Sequence, residues 1–120
     1  MLPEIGDIAW VELDPVMGTE QAGRRPALVL SDGSYHALSP RSVVCPISLR
    51  ARPRTFNVPL PEGMTTAGMV LVDQIRTIDR RRMFDIIERA PGSVIAEVRG
   101  RLAALLRFED VSLLPDRDRE

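Results

Sequence analysis

The sequence predicts an α+β protein dominated by strands: a small, strongly bent antiparallel sheet or barrel, plugged by one C-terminal helix. Three observations carry that prediction. Short apolar runs of strand length, roughly five to seven of them, recur between Asp7 and Ile87, each broken by proline, glycine or a polar cluster. A single stretch, from Ser93 to about Arg107, has helical periodicity. A chain of 120 residues that is 44% hydrophobic suffices for one core and not for two.

The first run, Asp7–Leu13, is rich in strand formers. Ile8 and Trp10 fall on one face, Ala9, Val11 and Leu13 on the other, so both faces are apolar, as in a central strand. Asp14-Pro15 ends it. The polar loop Val16–Arg25 follows and feeds the apolar run Ala27–Leu30, bounded by Pro26 and by Ser31-Asp32-Gly33. Ser31–Pro40 reads as a second loop, holding Tyr35 and the only histidine, His36. Arg41–Ser48 reads as a third strand in which Pro46 requires an edge, a bulge or a bend.

Phe56–Leu60 and Met69–Val72 read as further strands, separated by the loop Pro61–Gly68. Asp73–Asp79 continues as a short extended piece, Arg80-Arg81-Arg82 as a helical turn, and Met83–Ile87 as a last strand. Pro91-Gly92 precede the helix, and Ser93 is placed to cap its free amides. Val94, Ile95, Val98, Leu102, Leu105 and Leu106 form its apolar face, which Gly100 weakens slightly. One domain is expected over residues 1–110, followed by a charged tail, residues 111–120, that frays.

A net charge of −1 excludes a broadly basic nucleic-acid binder, so any RNA contact needs a local patch. All sixteen basic residues are arginines, balanced by seventeen acidic ones. The single Cys45 forbids an internal disulfide; lying in Val43-Val44-Cys45, it reads as a buried, inert thiol. Cysteine usage, the lack of a membrane-length apolar stretch and the lack of a signal pattern lead to an expected cytoplasmic location and no membrane partner.

Glu20, Gln21, Arg24 and Arg25 supply acid, amide and guanidinium at the mouth of a strand, where Arg can grip a phosphate through its planar fork. A plain surface turn is the alternative reading of that loop. Arg50, Arg52 and Arg54 alternate along Leu49–Thr55; extended, they make a positive strip, otherwise a solvated loop. One histidine and one cysteine make no metal cluster, and neither nucleotide-binding glycine pattern is present, so no cofactor and no metal are expected. A Ser-His-Asp triad would need His36, which has no nucleophile-elbow sequence beside it.

Arginine, hydroxyl and carboxylate remain. RNA suits that set because its 2′-hydroxyl is its own nucleophile. Cleavage then needs a base, positive charge on the transition state and a donor to phosphate oxygens. Arg25 can supply the charge and Ser48 the donor; Glu20 or Asp73 can be the base.

Gly6-Asp7, Trp10, Asp14-Pro15, Gly18, Glu20-Gln21, Gly23, Arg25-Pro26, Val29, Pro46-Ile47-Ser48, Gly68, Val70 and Asp73-Gln74-Ile75-Arg76-Thr77-Ile78-Asp79 stand in order at matching spacing. From Gly6 to Leu106 the chain thereby resembles the MazF/PemK family of toxin endoribonucleases. The resemblance implies a Src-homology-3-like barrel with a C-terminal helix (the PemK/CcdB-like toxin fold) and a homodimer. It implies metal-independent cleavage of single-stranded RNA, mRNA above all, at short specific sequences, leaving a 2′,3′-cyclic phosphate and a 5′-hydroxyl. It also implies a cognate antitoxin whose disordered tail crosses the RNA groove, and a toxin–antitoxin complex that binds operator DNA.

Residue by residue, the family's catalytic arginine before proline falls on Arg25, and its catalytic threonine on Ser48, which keeps the hydroxyl and loses a methyl. Leu71 stands where some branches carry an arginine, so Asp73 is left in competition with Glu20 as base. Thr19, Gln21, Arg24, Arg50, Arg52, Arg54, Gln74 and Arg76 are the expected RNA contacts. Two further classes compete with the nuclease. One is a non-catalytic toxin of related fold that binds a protein such as DNA gyrase; the other is a small barrel that binds RNA or peptide without cutting.

Overall fold

The computed structural model describes residues 2–108. The charged tail expected at residues 111–120 lies outside them. Among the described residues, seven strands form one antiparallel sheet: β1 (Asp7–Glu12), β2 (Arg24–Val29), β3 (Arg41–Ser48), β4 (Asn57–Pro59), β5 (Met69–Leu71), β6 (Arg76–Asp79) and β7 (Met83–Arg89). A short helix, α1 (Gly33–Leu38), joins β2 to β3, and α2 (Gly92–Leu106) follows β7. The spatial order is β4-β5-β3-β2-β1-β7, with β6 also paired to β3. The sheet bends without closing, so the bent sheet rather than the closed barrel describes the molecule.

β3 makes the bend. Its first part pairs with β2 on one side, from Val29↔Val44 to Ala27↔Pro46, and with β6 on the other, from Arg41↔Asp79 to Val44↔Arg76. Its last two residues pair with β5 instead, Ile47↔Val70 and Ser48↔Met69. Pro46 stands at the changeover. With no amide hydrogen to give a ladder, proline is tolerated where a strand exchanges partners.

Alternating side chains divide the core in two. Ile8, Leu28, Cys45, Ile47, Val58, Val70 and Val72 pack with Val94 and Val98 of α2. Ala9, Val11, Leu13, Ala27, Val29, Val44, Ile78 and Met83 form the second cluster on the other face. Each fully buried Val, Leu or Ile contributes about 1.5–3 kcal/mol. The expected alternation along β1 holds, but Trp10 remains 43% exposed and belongs to neither cluster.

Several local expectations are corrected. The segment Ser31–Pro40 is not a plain loop, because Asp32 caps α1 by accepting from the Tyr35 amide. His36 anchors that helix from inside: Nδ1 donates to the Pro3 carbonyl (2.6 Å), and Nε2 meets Ser31 Oγ (2.7 Å) and Ser42 Oγ (2.8 Å). A helix of six residues is too short to show a periodicity. Arg24 and Arg25 lie on β2, paired with Glu12 and Val11, rather than in the preceding loop. Asp73 sits on a 3₁₀ turn, Val72–Gln74, where an extended piece was expected. Ser93 does not cap α2; the helix starts one residue earlier, and the Pro91 carbonyl accepts from the Val94 and Ile95 amides. Leu106, expected on the buried face, is 57% exposed.

Candidate functional site

The loop between β1 and β2 is closed at its neck, where the Leu13 amide donates to the Gly23 carbonyl (3.0 Å) and the Gly23 amide to Asp14 Oδ1 (3.1 Å). Its far side is tied to the 3₁₀ turn: the Gln21 amide donates to Gln74 Oε1 at 2.8 Å. Two segments 53 residues apart are thereby held beside the end of β3.

There lies an open groove of about 390 Å³, walled by Gln21, Ser48, Asp73, Gln74, Asn57 and Leu71, with Arg50, Arg52 and Arg54 along it. Ser48 is 4% exposed. Its Oγ accepts from the Arg50 amide at 3.3 Å, which leaves the hydroxyl proton to be donated elsewhere. The segment 49–55 is irregular rather than a strand, and Arg50, Ala51, Arg52 and Arg54 all line the groove, so the three arginines come together there without the one-sided alternation of an extended strip. Burial, with a further push from the Asp73 carboxylate, raises the neighbouring Cys45 thiol to about 12. Cys45 is therefore an inert wall of the core, not a nucleophile.

Arg25 does not itself line the groove. Its Nε donates to the Ala22 carbonyl at 3.0 Å. The last β2–β3 pair is Ala27↔Pro46, so Arg25 and Ser48 each stand two residues beyond it, on facing strands at the same end of the ladder. Four other expected site residues are occupied elsewhere or stand apart. Glu20 is exposed and its Oε1 accepts from the Met17 amide (2.6 Å), which closes a local turn. Thr19 is exposed in the same turn and outside the groove. Arg24 pairs with Glu12 (3.8 Å) and stacks over the Phe84 ring at 4.3 Å. Arg76 reaches back to the Leu13 carbonyl (3.0 Å), a tie that helps shape the loop neck rather than the groove. Arg24 and Arg76 thus found partners that only the fold brings near.

Sequence reading also missed two residues that shape the groove. Asn57 lines it, and its Nδ2 donates to the Arg52 carbonyl at 2.8 Å. Arg101, on α2, donates to the Thr55 carbonyl at 2.6 Å. Neither belongs to a motif; each acts through backbone that only the fold brings near. A wider cavity, about 640 Å³, opens at Leu2, Pro40, Asp79, Arg80, Arg81 and Met83. Its Arg80 guanidinium already donates to the carbonyls of Ser39, Arg41 and His36, so it holds α1 in place rather than offering a grip on a ligand.

The family of PemK-like, MazF-like toxins of type II toxin-antitoxin systems matches residues 4–106. The endoribonuclease PemK of Escherichia coli is 39% identical over 108 residues, covering 86% of this chain and 81% of that protein. A crystal structure of MazF from Deinococcus radiodurans superposes with a TM-score of 0.85 at 40% identity, covering 90% of this chain and 99% of that one. A chain of a MazE–MazF crystal structure from the same organism gives a TM-score of 0.78 at 36% identity, over 91% of this chain and 99% of that one.

Proposed function

The chain belongs to the PemK-like, MazF-like toxin family, and from that premise we propose that the groove beside Ser48 binds single-stranded RNA and cuts it. It is an endoribonuclease toxin, as its relative PemK is named. The alternative of a protein-poisoning toxin is not favoured by that relationship. The observation that carries the assignment of the site is the convergence of Ser48, Asp73 and three arginines on one groove.

The chemistry follows from what each group can do. RNA laid along Arg50, Arg52 and Arg54 has its phosphates neutralised by permanently charged guanidiniums. The 2′-hydroxyl attacks phosphorus and gives its proton to a base. The bond to the 5′-oxygen breaks, and that oxygen takes a proton from solvent and leaves as a hydroxyl, beside a 2′,3′-cyclic phosphate. Asp73, in the groove, is the base we favour over Glu20, which its local turn occupies. Ser48 donates to a phosphate oxygen, and Arg25, released from Ala22, stabilises the transition-state charge.

A cognate antitoxin is supported by the MazE–MazF structure of the relative. We further propose a two-fold homodimer, since one protomer's groove is short for a specific sequence and two copies edge to edge lengthen it. Binding of the toxin–antitoxin complex to operator DNA and a cytoplasmic location, where its RNA substrate is found, complete the proposal. No helix among the described residues is long and apolar enough to cross a membrane. The test is incubation with long single-stranded RNA in EDTA. Fragments ending in cyclic phosphate are expected; equal cleavage of an all-deoxy strand, or a strict need for a divalent cation, would sink the mechanism.

A further inference from the structure

The three groove arginines sit on an irregular segment, and something must hold it against the cost of ordering a loop on each binding event. Arg101 is built to do so. Its Nε and Nη2 fork onto Glu97 Oε1 one helical turn earlier, at 2.9 and 2.7 Å. That clamp turns the remaining nitrogen, Nη1, to the carbonyls of Thr55 (2.6 Å), Asn57 (3.3 Å) and Arg54 (3.4 Å). Asn57 completes the staple: Nδ2 donates to the Arg52 carbonyl (2.8 Å) and its amide to the Arg54 carbonyl (3.1 Å). The backbone oxygens of two of the three groove arginines, Arg52 and Arg54, are thus held by hydrogen bonds, and all three residues line the groove.

We propose that Arg101, locked by Glu97, is a positioning residue that pre-forms the arginine loop for RNA, with α2 as its rigid support. This rests on the RNA-binding reading of the groove. Arg25, Ser48 and Asp73 lie on β2, on β3 and on the turn after β5; the loop meets Ser48 only through the Arg50 amide, ahead of the stapled carbonyls of Arg52 to Asn57, so the staple acts chiefly on binding rather than on the chemical step.

The test compares Arg101→Ala, Arg101→Lys and Glu97→Gln with the parent on a short RNA substrate, at a temperature where all are folded. Arg101→Ala should raise KM about tenfold, the scale of ordering one to a few side chains, with kcat within about twofold. Arg101→Lys should rescue little, since a point charge cannot grip Glu97 and three carbonyls together. Glu97→Gln, which retains an acceptor, should fall between the parent and Arg101→Ala.

Two readouts separate positioning from other roles. If Arg101 touched a phosphate itself, the slope of log K against log salt would drop by about 0.7 in Arg101→Ala; a positioning residue leaves it unchanged. In a background with Arg50, Arg52 and Arg54 all changed to Ala, the KM effect of Arg101→Ala should vanish, because it acts through them. An effect of full size in that background, or a loss confined to kcat, overturns the proposal. Hydrogen exchange at residues 50–57 without RNA tests the staple independently: Arg101→Ala must lose protection there, and unchanged protection refutes it. If the parent itself does not cut RNA, the functional reading fails, and that exchange measurement still decides the role of Arg101.

Discussion

Gly68 packs directly on the backbone of Ser48: a Cβ at Gly68 would stand 2.4 Å from the Ser48 carbonyl oxygen, and the Gly68 φ of +118° is one that other residues rarely adopt. Next along the chain, Met69 pairs with Ser48. Gly68→Ala therefore has to push β5 away from the end of β3 or twist the serine out of the groove. We expect reduced thermal stability and cleavage down by about 10²-fold, the effect of misplacing a reacting group by an ångström. Melting curves and single-turnover rates on the same sample check it; parent-like rates would show that the close approach does not position Ser48.

Arg25→Ala should reduce cleavage by about 10²–10³-fold, as expected for one preorganised donor to transition-state charge. Arg25→Lys should recover little, because the ammonium lacks the planar fork. Ser48→Ala should cost a comparable or smaller factor, and Ser48→Thr should keep activity since the hydroxyl remains. Single-turnover kinetics decide. If both alanine variants stay within about threefold of the parent (about 0.65 kcal/mol), the reacting centre lies elsewhere along the groove, and Asp73→Asn is the next comparison.

Cys45 gives a pH prediction. Burial raises its thiol from the ordinary 9.0 to about 12. The folded state keeps a proton that the unfolded state loses, so this contribution to stability is whole below about pH 9 and is lost as pH rises from there towards 12. Denaturant melts at pH 7 and pH 10 should show the decline, and Cys45→Ala should lack its share of it. Alkylating reagents at pH 8 should label the protein only after unfolding. Labelling of the folded protein at the rate of a free thiol would contradict the burial.

Gly100 lies inside α2, and a Cβ there meets nothing within 4 Å. Gly100→Ala should therefore stabilise the helix by about 1 kcal/mol, which raises Tm by about 4 °C, without altering cleavage. Calorimetry checks the first part. A lower Tm would mean that Gly100 meets a surface outside the protomer, as a subunit interface on α2 would provide.

Local signals carried a large part of the structure. Short apolar runs broken by proline, glycine or polar clusters marked the strands, the i, i+4 spacing of Val94, Val98 and Leu102 marked α2, and apolar neighbours marked Cys45 as buried. The clustering of Arg50, Arg52 and Arg54 within five positions was visible in the sequence, but their shared groove, which Ala51 also lines, was set by the irregular path of that segment rather than by alternation. Pro46 announced an irregular position in β3, an edge, a bulge or a bend, since a missing amide hydrogen is a property of the residue itself.

Tertiary structure decided what depends on partners far along the chain. Asp73 lies in the groove and Glu20 outside it, because the tie from Gln21 to Gln74 spans 53 residues while Glu20 finds an amide three residues away. Arg24 and Arg76 carry the same charge as Arg52, yet Phe84 and the Leu13 carbonyl engage them first. Arg101 had no motif at all; its role exists only because α2 folds back against carbonyls 44 to 47 residues earlier. Composition and spacing report what a residue can do within reach of its own backbone. Which of those capacities is used depends on the register of β2 on β3, the bend at Pro46 and the packing of α2, and these are set by the burial of the whole core at once.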